Sequence, residues 1–114
     1  DGSGIFLSSM RPVDGPPRRD FDIWFVPRTA DGYGRATNLG RAINSDDDEL
    51  YPSVAADGTL YFASNRTGLW RIYRAVRAAD GSYGLAEALP APVNLPGIWS
   101  FNPFITADGR TLVF

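Results

Sequence analysis

Four consecutive acidic residues, Asp46 to Glu49, form the densest group of chemistry-bearing side chains in this 114-residue sequence. Carboxylate oxygens are ligands that calcium prefers, so Asp46, Asp48 and Glu49 are weak candidates for a calcium site. The run lacks the alternating spacing of a calcium-binding loop, and consecutive carboxylates seldom converge on one ion. We therefore expect a solvated loop in which Glu49 finds a backbone or arginine partner, with no metal and no cofactor.

Two carboxylates that face each other across a sugar would suit glycoside hydrolysis. The candidates are Asp22, Asp46, Asp48 and Glu49, and of these only Glu49 lies next to a strand that we predict to be an inner one. Four other aspartates precede a glycine, as turns require: Asp31, Asp57, Asp80 and Asp108. The sequence has no His and no Cys, which excludes a Ser-His-Asp triad or a cysteine nucleophile built from this chain alone. We predict no catalytic residues.

The triplet Ser64-Asn65-Arg66 offers a different chemistry, because a guanidinium such as that of Arg66 suits an anionic ligand. The alternative is that Asn65 and Arg66 fix a loop through hydrogen bonds and ion pairs. Trp70 and Trp99 lie in predicted loops and are the aromatic residues that we expect to be exposed. As a ligand- or partner-binding surface we predict Tyr51, Asn65, Arg66, Trp70 and Asn102.

The composition limits the class of partner. All eleven basic residues are arginines, they are scattered, and the net charge is -2. Nucleic-acid binding requires a basic patch or stripe, so we predict no nucleic-acid partner. Hydrophobic residues make up 44% of the chain, which predicts a packed core. No run of roughly 18 apolar residues occurs, so we predict no membrane span.

The segments that carry these residues recur at intervals near 50 residues. Three matched pairs define the interval: Ile23 with Ile72 (49 residues), Asn44 with Asn94 (50) and Pro52 with Pro103 (51). We align Asp1 with Asp57, and this 56-residue interval assigns seven extra residues to the loop Met10–Arg19. In this alignment Ser8-Ser9-Met10 stands where the middle copy has Ser64-Asn65-Arg66. Extra length confined to a loop is typical of repeat folds.

The middle copy predicts four strands, which are a (Ser53–Ala56), b (Leu60–Ser64), c (Arg71–Val76) and d (about Ala86–Leu89). Asp57-Gly58 between strands a and b is a hairpin signal. In strand c, Ile72, Arg74 and Val76 share one face, and Arg71, Tyr73 and Ala75 share the other. Four antiparallel strands in a unit of about 50 residues form the blade of a propeller.

We therefore predict an all-β fold, a β-propeller fragment of about two and a half four-stranded antiparallel blades. Residues 1–50 form a blade that lacks its first strand, residues 51–100 a complete blade, and residues 101–114 the first half of a third blade. A ring usually needs at least about four blades. We expect the 114 residues to be a fragment whose ring is completed by further blades, or by other copies in a homo-oligomer.

Several segments together resemble the WD-like β-propeller repeat of TolB and related bacterial envelope proteins. They are Ile43-Asn44-Ser45, Glu49–Val54, Ala56–Phe62, Ser64-Asn65-Arg66 and Ile72-Tyr73, and Phe101–Phe114 resembles the first half of the same repeat. The resemblance covers essentially the whole chain but departs at Ser100, which stands where the middle copy has Glu49. It implies a periplasmic or secreted scaffold that binds other proteins and usually has no enzymatic activity.

From the residues and this resemblance we predict a non-catalytic interaction or scaffold domain that binds a protein or a small ligand through its loops and central channel. The alternative is the propeller portion of an enzyme, either a glycosidase or the gating domain of a prolyl-oligopeptidase-like serine peptidase, because one fold serves many functions. A third hypothesis is a spacer without a ligand.

Overall fold

The computed structural model describes residues 2–16 and 18–114, and every regular element among them is a β-strand. The strands are β1 (Gly4–Ser9), β2 (Asp22–Thr29), β3 (Gly32–Tyr33), β4 (Thr37–Asn38), β5 (Glu49–Val54), β6 (Leu60–Ser64), β7 (Arg71–Ala75), β8 (Glu87–Ala88), β9 (Phe104–Ile105) and β10 (Leu112–Val113). They form three antiparallel sheets, which contain β1–β4, β5–β8 and β9–β10. The prediction of an all-β fold is confirmed for these residues.

The second sheet follows chain order, β5-β6-β7-β8. Strand β6 has the bounds predicted for strand b, and β7 is one residue shorter than the predicted strand c. The first strand of this sheet is Glu49–Val54, whereas Ser53–Ala56 was predicted, and β8 is reduced to Glu87–Ala88. A β-bulge between Leu50 and Ser53 lets β5 extend toward Glu49 while it stays paired with β6.

Burial along β7 does not follow the predicted alternation. Tyr73 and Ala75 are buried in the core between the first two sheets, as residues on one face should be. On the opposite face Ile72 is also fully buried, but Arg74 is exposed. The side chain of Asn94, in the linker after β8, bonds to both backbone groups of Ile72 (2.9 Å each), so the linker covers this end of the strand.

The main core lies between the first and second sheets. Its buried members are Ile23, Ile43, Leu60, Phe62, Tyr73 and Ala75. The rings of Phe62 and Tyr73 stack with their centroids 5.8 Å apart. Each large side chain removed from water here stabilises the fold by about 1.5–3 kcal/mol, so this core holds the two sheets face to face.

Strand β5 lies beside both of the other sheets. It contacts β1 and β2 of the first sheet and β9 of the third. The Ala56 N–H donates to the Ala107 carbonyl (2.8 Å), and the Ile105 N–H donates to the Ser53 hydroxyl (3.0 Å). All three sheets therefore meet close to one strand of the middle sheet.

Candidate functional site

Glu49, the last residue of the acidic run, is completely buried. Its carboxylate accepts hydrogen bonds from the Ser45 backbone N–H (3.0 Å), the Ser45 hydroxyl (2.6 Å) and the Ser64 hydroxyl (2.8 Å). Arg66 donates another hydrogen bond at 3.1 Å and forms an ion pair with it. We call Ser45, Glu49, Ser64 and Arg66 the Glu49 clamp. Every partner of this carboxylate comes from a neighbouring segment of the chain, so Glu49 links the linker before β5 to the end of β6.

Arg66 uses its donors inside the molecule. Its guanidinium donates to the Ile43 carbonyl (2.5 Å) and to the Ser64 hydroxyl (2.9 Å), besides Glu49. It also lies 4.5 Å from the centroid of the Tyr73 ring, a cation–π contact. Its side chain is only 20% exposed. This geometry favours the loop-fixing alternative for Arg66 over an anion site.

Asn65 and the remaining acids of the run have separate partners. The Asn65 side-chain oxygen accepts from the Asp48 N–H (2.8 Å), and the Asp48 carboxylate accepts from the Phe21 N–H (3.0 Å). Asp46 pairs with Arg41 at the surface, at 2.7 Å. The calcium candidates Asp46, Asp48 and Glu49 therefore bond in three different directions. Within residues 2–16 and 18–114 no three acidic side chains come together as a metal site.

Two asparagines each bond to both backbone groups of an isoleucine. Asn44 accepts from the Ile23 N–H (2.7 Å) and donates to the Ile23 carbonyl (3.0 Å). Asn94 makes the same two bonds to Ile72 (2.9 Å each). We call these contacts the asparagine bridges. The Asn44 bridge joins the linker after β4 to β2, and the Asn94 bridge joins the linker after β8 to β7. Each bridge thereby fixes the linker that leads to the next sheet.

A hydrogen-bond pattern like that of Ser64 and Arg66 occurs in the first sheet. The Arg11 backbone N–H and Nε both donate to the Ser9 hydroxyl at 3.2 Å. The Arg66 backbone N–H (3.2 Å) and Nε (2.9 Å) donate to the Ser64 hydroxyl in the same way. Arg11 also lies over an aromatic ring, 5.3 Å from the centroid of Trp24.

This pattern corrects the alignment of the first copy by one residue. Ser9-Met10-Arg11, and not Ser8-Ser9-Met10, corresponds to Ser64-Asn65-Arg66. Ser9 pairs with Asp22, 13 residues later, whereas Ser64 pairs with Arg71, 7 residues later, so the first loop has six extra residues and not seven. The alignment on Asp-Gly failed because Asp1 precedes Ser9 by eight residues in the sequence, whereas Asp57 precedes Ser64 by seven.

Asp22 is a second buried acid, at the start of β2. One carboxylate oxygen accepts from the Asn38 amide (2.8 Å). The other is 3.5 Å from Arg18 and has no hydrogen-bond partner among the residues that the structure describes. Burial raises the pKa of Asp22 despite the Asn38 hydrogen bond and the nearby Arg18 charge. The neighbouring Asp20 behaves in the opposite way, because the hydrogen bond from Arg18 lowers its pKa.

Several exposed aromatic residues lie together at the end of the second sheet where β5 begins. Leu50, Tyr51, Trp70, Trp99 and Phe101 line a shallow cavity of about 150 Å³. Tyr51, Trp99 and Phe101 are all exposed, and Trp70 is half-buried. We call these five residues the aromatic surface. It includes two of the predicted binding residues, Tyr51 and Trp70, and adds Trp99 and Phe101.

Tyr51 and Asn102 share an unusual backbone conformation. Their φ angles are +56° and +54°, and each precedes a proline. Positive φ costs a non-glycine residue on the order of 1–3 kcal/mol and is most frequent at functional sites. Tyr51 lies in the β-bulge of β5 and points its exposed ring to the aromatic surface. Asn102 lines a neighbouring cavity of about 370 Å³ together with Trp99 and Phe101.

Comparisons with known proteins returned no match to a family model, a curated protein or a solved structure. Nothing in the described part of the chain forms a helix long and apolar enough to cross a membrane.

Sequence reasoning missed the asparagine bridges and Phe101. Asn44 and Asn94 were visible as a matched pair 50 residues apart, but only their contacts reveal the role of the side chains. Phe101 follows Ser100 in the linker between β8 and β9, and its exposure depends on how that linker folds over the second sheet. Ser100 itself is buried and donates to the Val93 carbonyl (2.9 Å).

Proposed function

We propose that this chain is a section of a β-propeller and a non-catalytic interaction domain, which binds an apolar segment of a partner protein at the aromatic surface. The three sheets are then successive blades, and β5 is the inner strand of the middle blade. The resemblance to TolB-like repeats adds the proposal of a periplasmic or secreted location.

Backbone hydrogen bonds that recur at intervals of 49 to 51 residues support the propeller arrangement. The matched donors and acceptors are Leu39 to Ile23 with Leu89 to Ile72, Glu49 to Phe21 with Ser100 to Trp70, and Gly58 to Ala55 with Gly109 to Thr106. Unrelated loops would not repeat the same bonds at a nearly constant spacing. Three sheets built from one pattern and meeting beside β5 fit the radial packing of blades.

The aromatic surface is the observation that carries the interaction proposal. Most of the polar side chains that are candidates for catalysis or ligand binding, among them Glu49, Asp48 and Arg66, form hydrogen bonds with neighbouring segments of the chain. Tyr51, Trp99 and Phe101 instead expose large rings around a cavity that fits one apolar side chain. Aromatic residues are enriched at the centres of protein–protein interfaces, and four of the five residues of the aromatic surface are aromatic.

An NMR titration tests the proposal. We would add short peptides that each contain one proline, leucine or phenylalanine and follow the indole N–H signals of Trp70 and Trp99. At least one peptide should shift both signals in a saturable manner, and Tyr51→Ala should weaken binding at least about fivefold, the effect of roughly 1 kcal/mol of lost contact.

Tyr33→Ala is the matched control, because Tyr33 is a similarly exposed tyrosine in the β2–β3 hairpin, away from the aromatic surface. It should leave the affinity unchanged. The proposal fails if no peptide shifts the Trp70 and Trp99 signals, or if Tyr33→Ala weakens binding as much as Tyr51→Ala.

A further inference from the structure

A cavity of about 250 Å³ lies beside the start of β2 in the first sheet. Its walls come from the β1–β2 loop, from the strands β2 and β4, and from the linker after β4. Most of the polar part of the lining is supplied by Arg18, Asp22, Asn38, Arg41 and Asn44. The cavity is smaller than those that hold drug-sized molecules, which measure roughly 300–1,000 Å³. It therefore fits one small molecule.

Asp22 gives this cavity a binding chemistry. Its side chain is only 1% exposed, and its Oδ1 has no hydrogen-bond partner within residues 2–16 and 18–114. Its Oδ2 accepts from the Asn38 amide (2.8 Å), and the Asn44 amide donates to the Asn38 side-chain oxygen (3.0 Å). The carboxyl group is therefore fixed in orientation. A buried acceptor without a donor is costly, so Oδ1 favours a ligand that donates a hydrogen bond.

The second sheet has an arginine at the corresponding position. Arg71 follows Asp22 by 49 residues, the interval of the repeat. Its guanidinium donates to the Leu95 (2.7 Å) and Ile98 (2.5 Å) carbonyls, and so bonds directly to the linker after its own sheet. A carboxylate is shorter and cannot donate to carbonyls. The site with Asp22 is therefore a property of the first sheet and not of the repeat.

The charges around Asp22 favour an uncharged ligand. Arg18 lies 3.5 Å from Asp22 Oδ1, and Arg41 also lines the cavity, so a cation would meet two guanidinium groups. Burial raises the pKa of Asp22, which further weakens it as a partner for a cation. An anion would be repelled by the Asp22 carboxylate. A hydroxyl group avoids both conflicts, because it donates to a carboxylate and accepts from a guanidinium.

We propose that this cavity binds one uncharged polyhydroxyl molecule the size of a monosaccharide, with one hydroxyl bonded to Asp22 and another to Arg41. Arg41 is 70% exposed and its Nη1 pairs with Asp46 (2.7 Å), while within the described part of the chain its Nε and Nη2 donate no hydrogen bond. Val13 supplies an apolar wall for the C–H groups of a sugar ring.

The site is suited to binding and not to hydrolysis. Glycoside hydrolysis requires two carboxyl groups on opposite sides of the sugar bond. Of the acidic residues that the structure describes, Asp22 alone lines this cavity. The cavity shares no residue with the aromatic surface, so the inference does not depend on the proposed function.

An NMR titration with glucose, galactose, mannose and N-acetylglucosamine tests this inference. At least one sugar should shift the Asn38 side-chain amide and the Gly40 backbone amide in a saturable manner, with a dissociation constant on the order of millimolar. Asp22→Asn presents an amide nitrogen in place of the free carboxylate oxygen and should weaken binding of that sugar about tenfold. Arg41→Ala should weaken it about fivefold. Arg74→Ala is the matched control, an exposed arginine on β7, and should have no effect.

The inference is overturned if none of the four sugars shifts the Asn38 and Gly40 signals, or if Asp22→Asn binds the sugar as tightly as the wild type. Methylammonium and inorganic phosphate serve as charged probes, and a saturable shift from either of them without one from a sugar overturns it as well. A sugar that shifts the indole signals of Trp70 and Trp99 instead binds the aromatic surface, which also contradicts the inference. Circular-dichroism melts establish that each variant is folded.

The two proposals can fail separately. Binding of apolar peptides is followed at Trp70 and Trp99, and binding of sugars at Asn38 and Gly40. Loss of one set of shifts leaves the other proposal standing.

Discussion

At the scale of the residue, Glu49 illustrates how a charge is kept inside a small all-β chain. The carboxylate has no contact with solvent, yet it receives four hydrogen bonds from Ser45, Ser64 and Arg66. A buried charge is tolerated only when it is paired and its lone pairs are used. The clamp meets both conditions, and its members come from three segments. Its energetic role is therefore to fix those segments relative to one another.

Removing this carboxylate should be strongly destabilising. In Glu49→Ala the Ser64 hydroxyl loses its acceptor and the Arg66 guanidinium loses its ion-pair partner, while Arg66 keeps its hydrogen bond to the Ile43 carbonyl. Breaking such a buried pair costs about 3 kcal/mol. Urea denaturation measures the change in the free energy of unfolding. Glu87→Ala is the control, because Glu87 and Arg74 form an ion pair at the surface, and it should change stability by less than about 1 kcal/mol. Equal effects of the two substitutions would remove the structural role assigned to Glu49.

Asp22 predicts a distinctive pH dependence. Burial raises its pKa in the folded protein above the unfolded value, so the group favours folding when protonated, and this contribution is lost as the pH rises through the raised pKa. Asp22→Asn removes the titration. The stability of Asp22→Asn relative to the wild type should therefore increase as the pH rises from about 3 to 7, measured by urea denaturation at each pH.

Asp20 provides a control of opposite sign. The hydrogen bond from Arg18 lowers its pKa, so the charged form stabilises the fold above the unfolded pKa, and this contribution is lost as the pH falls through the lowered value. Asp20→Asn should therefore be most destabilised, relative to the wild type, near neutral pH. Parallel pH profiles for Asp20→Asn and Asp22→Asn would contradict the assigned environments.

At the scale of the element, the turn between β5 and β6 depends on one glycine. The Gly58 N–H donates to the Ala55 carbonyl (2.9 Å), and the Ala55 N–H donates to the Thr59 carbonyl (3.0 Å). Gly58 has a φ of +88°, and a Cβ built on it would lie 2.7 Å from Cδ of Arg77. Both backbone conformation and close approach therefore require glycine at this position.

Gly68 allows the two requirements to be separated. Its φ is +91°, but within the described part of the chain no atom other than those of its two sequence neighbours lies within 4 Å of the position where its Cβ would be. Gly68→Ala should cost about 1 kcal/mol for the backbone alone, and Gly58→Ala at least about twice as much because Arg77 must also move. Thermal or urea unfolding of the two variants checks the order. A larger loss in Gly68→Ala would contradict the packing described for Arg77.

The sequence predicted elements better than it predicted register. Alternation and glycine turns were sufficient to place β6 and β7, since β-branched and aromatic residues lie between clear turn signals. The first segment could not be placed correctly from the sequence, because one additional residue between Asp1 and Ser9 shifts the alignment without changing the composition of the strand. In a strand, one residue of register reverses every side chain between the two faces, so Ser9 and Arg11 were assigned wrongly.

The candidate site was only partly predictable for a related reason. Tyr51 and Trp70 belong to the aromatic surface, whereas Asn65 and Arg66 have their hydrogen bonds inside the molecule. Residue type alone does not distinguish an arginine that binds an anion from one that holds a buried glutamate. The partner of Arg66 is 17 residues away in the sequence, and only the pairing of β5 with β6 brings the two together.

At the scale of the whole molecule, the three sheets are packed on one another but not all of their faces are covered. Phe104, Val113 and Phe114 on or beside the third sheet are each more than half exposed. On the first sheet Ile5 is also exposed at the edge strand β1. In the proposed propeller these surfaces pack against further blades, which is the usual way in which repeat folds bury their terminal faces.

The central claim is that the chain forms separate sheets stacked through side chains around β5. One NOESY spectrum of the 114-residue protein tests it most directly. The structure predicts Hα–Hα contacts within the ladders β1–β2, β5–β6 and β6–β7, and no such ladder between the first and second sheets. Those two sheets should instead give side-chain contacts such as Phe6 with Tyr83, whose ring centroids are 6.3 Å apart. Hα–Hα contacts that join β1 to β5 in a continuous ladder, as in a closed barrel, would contradict it.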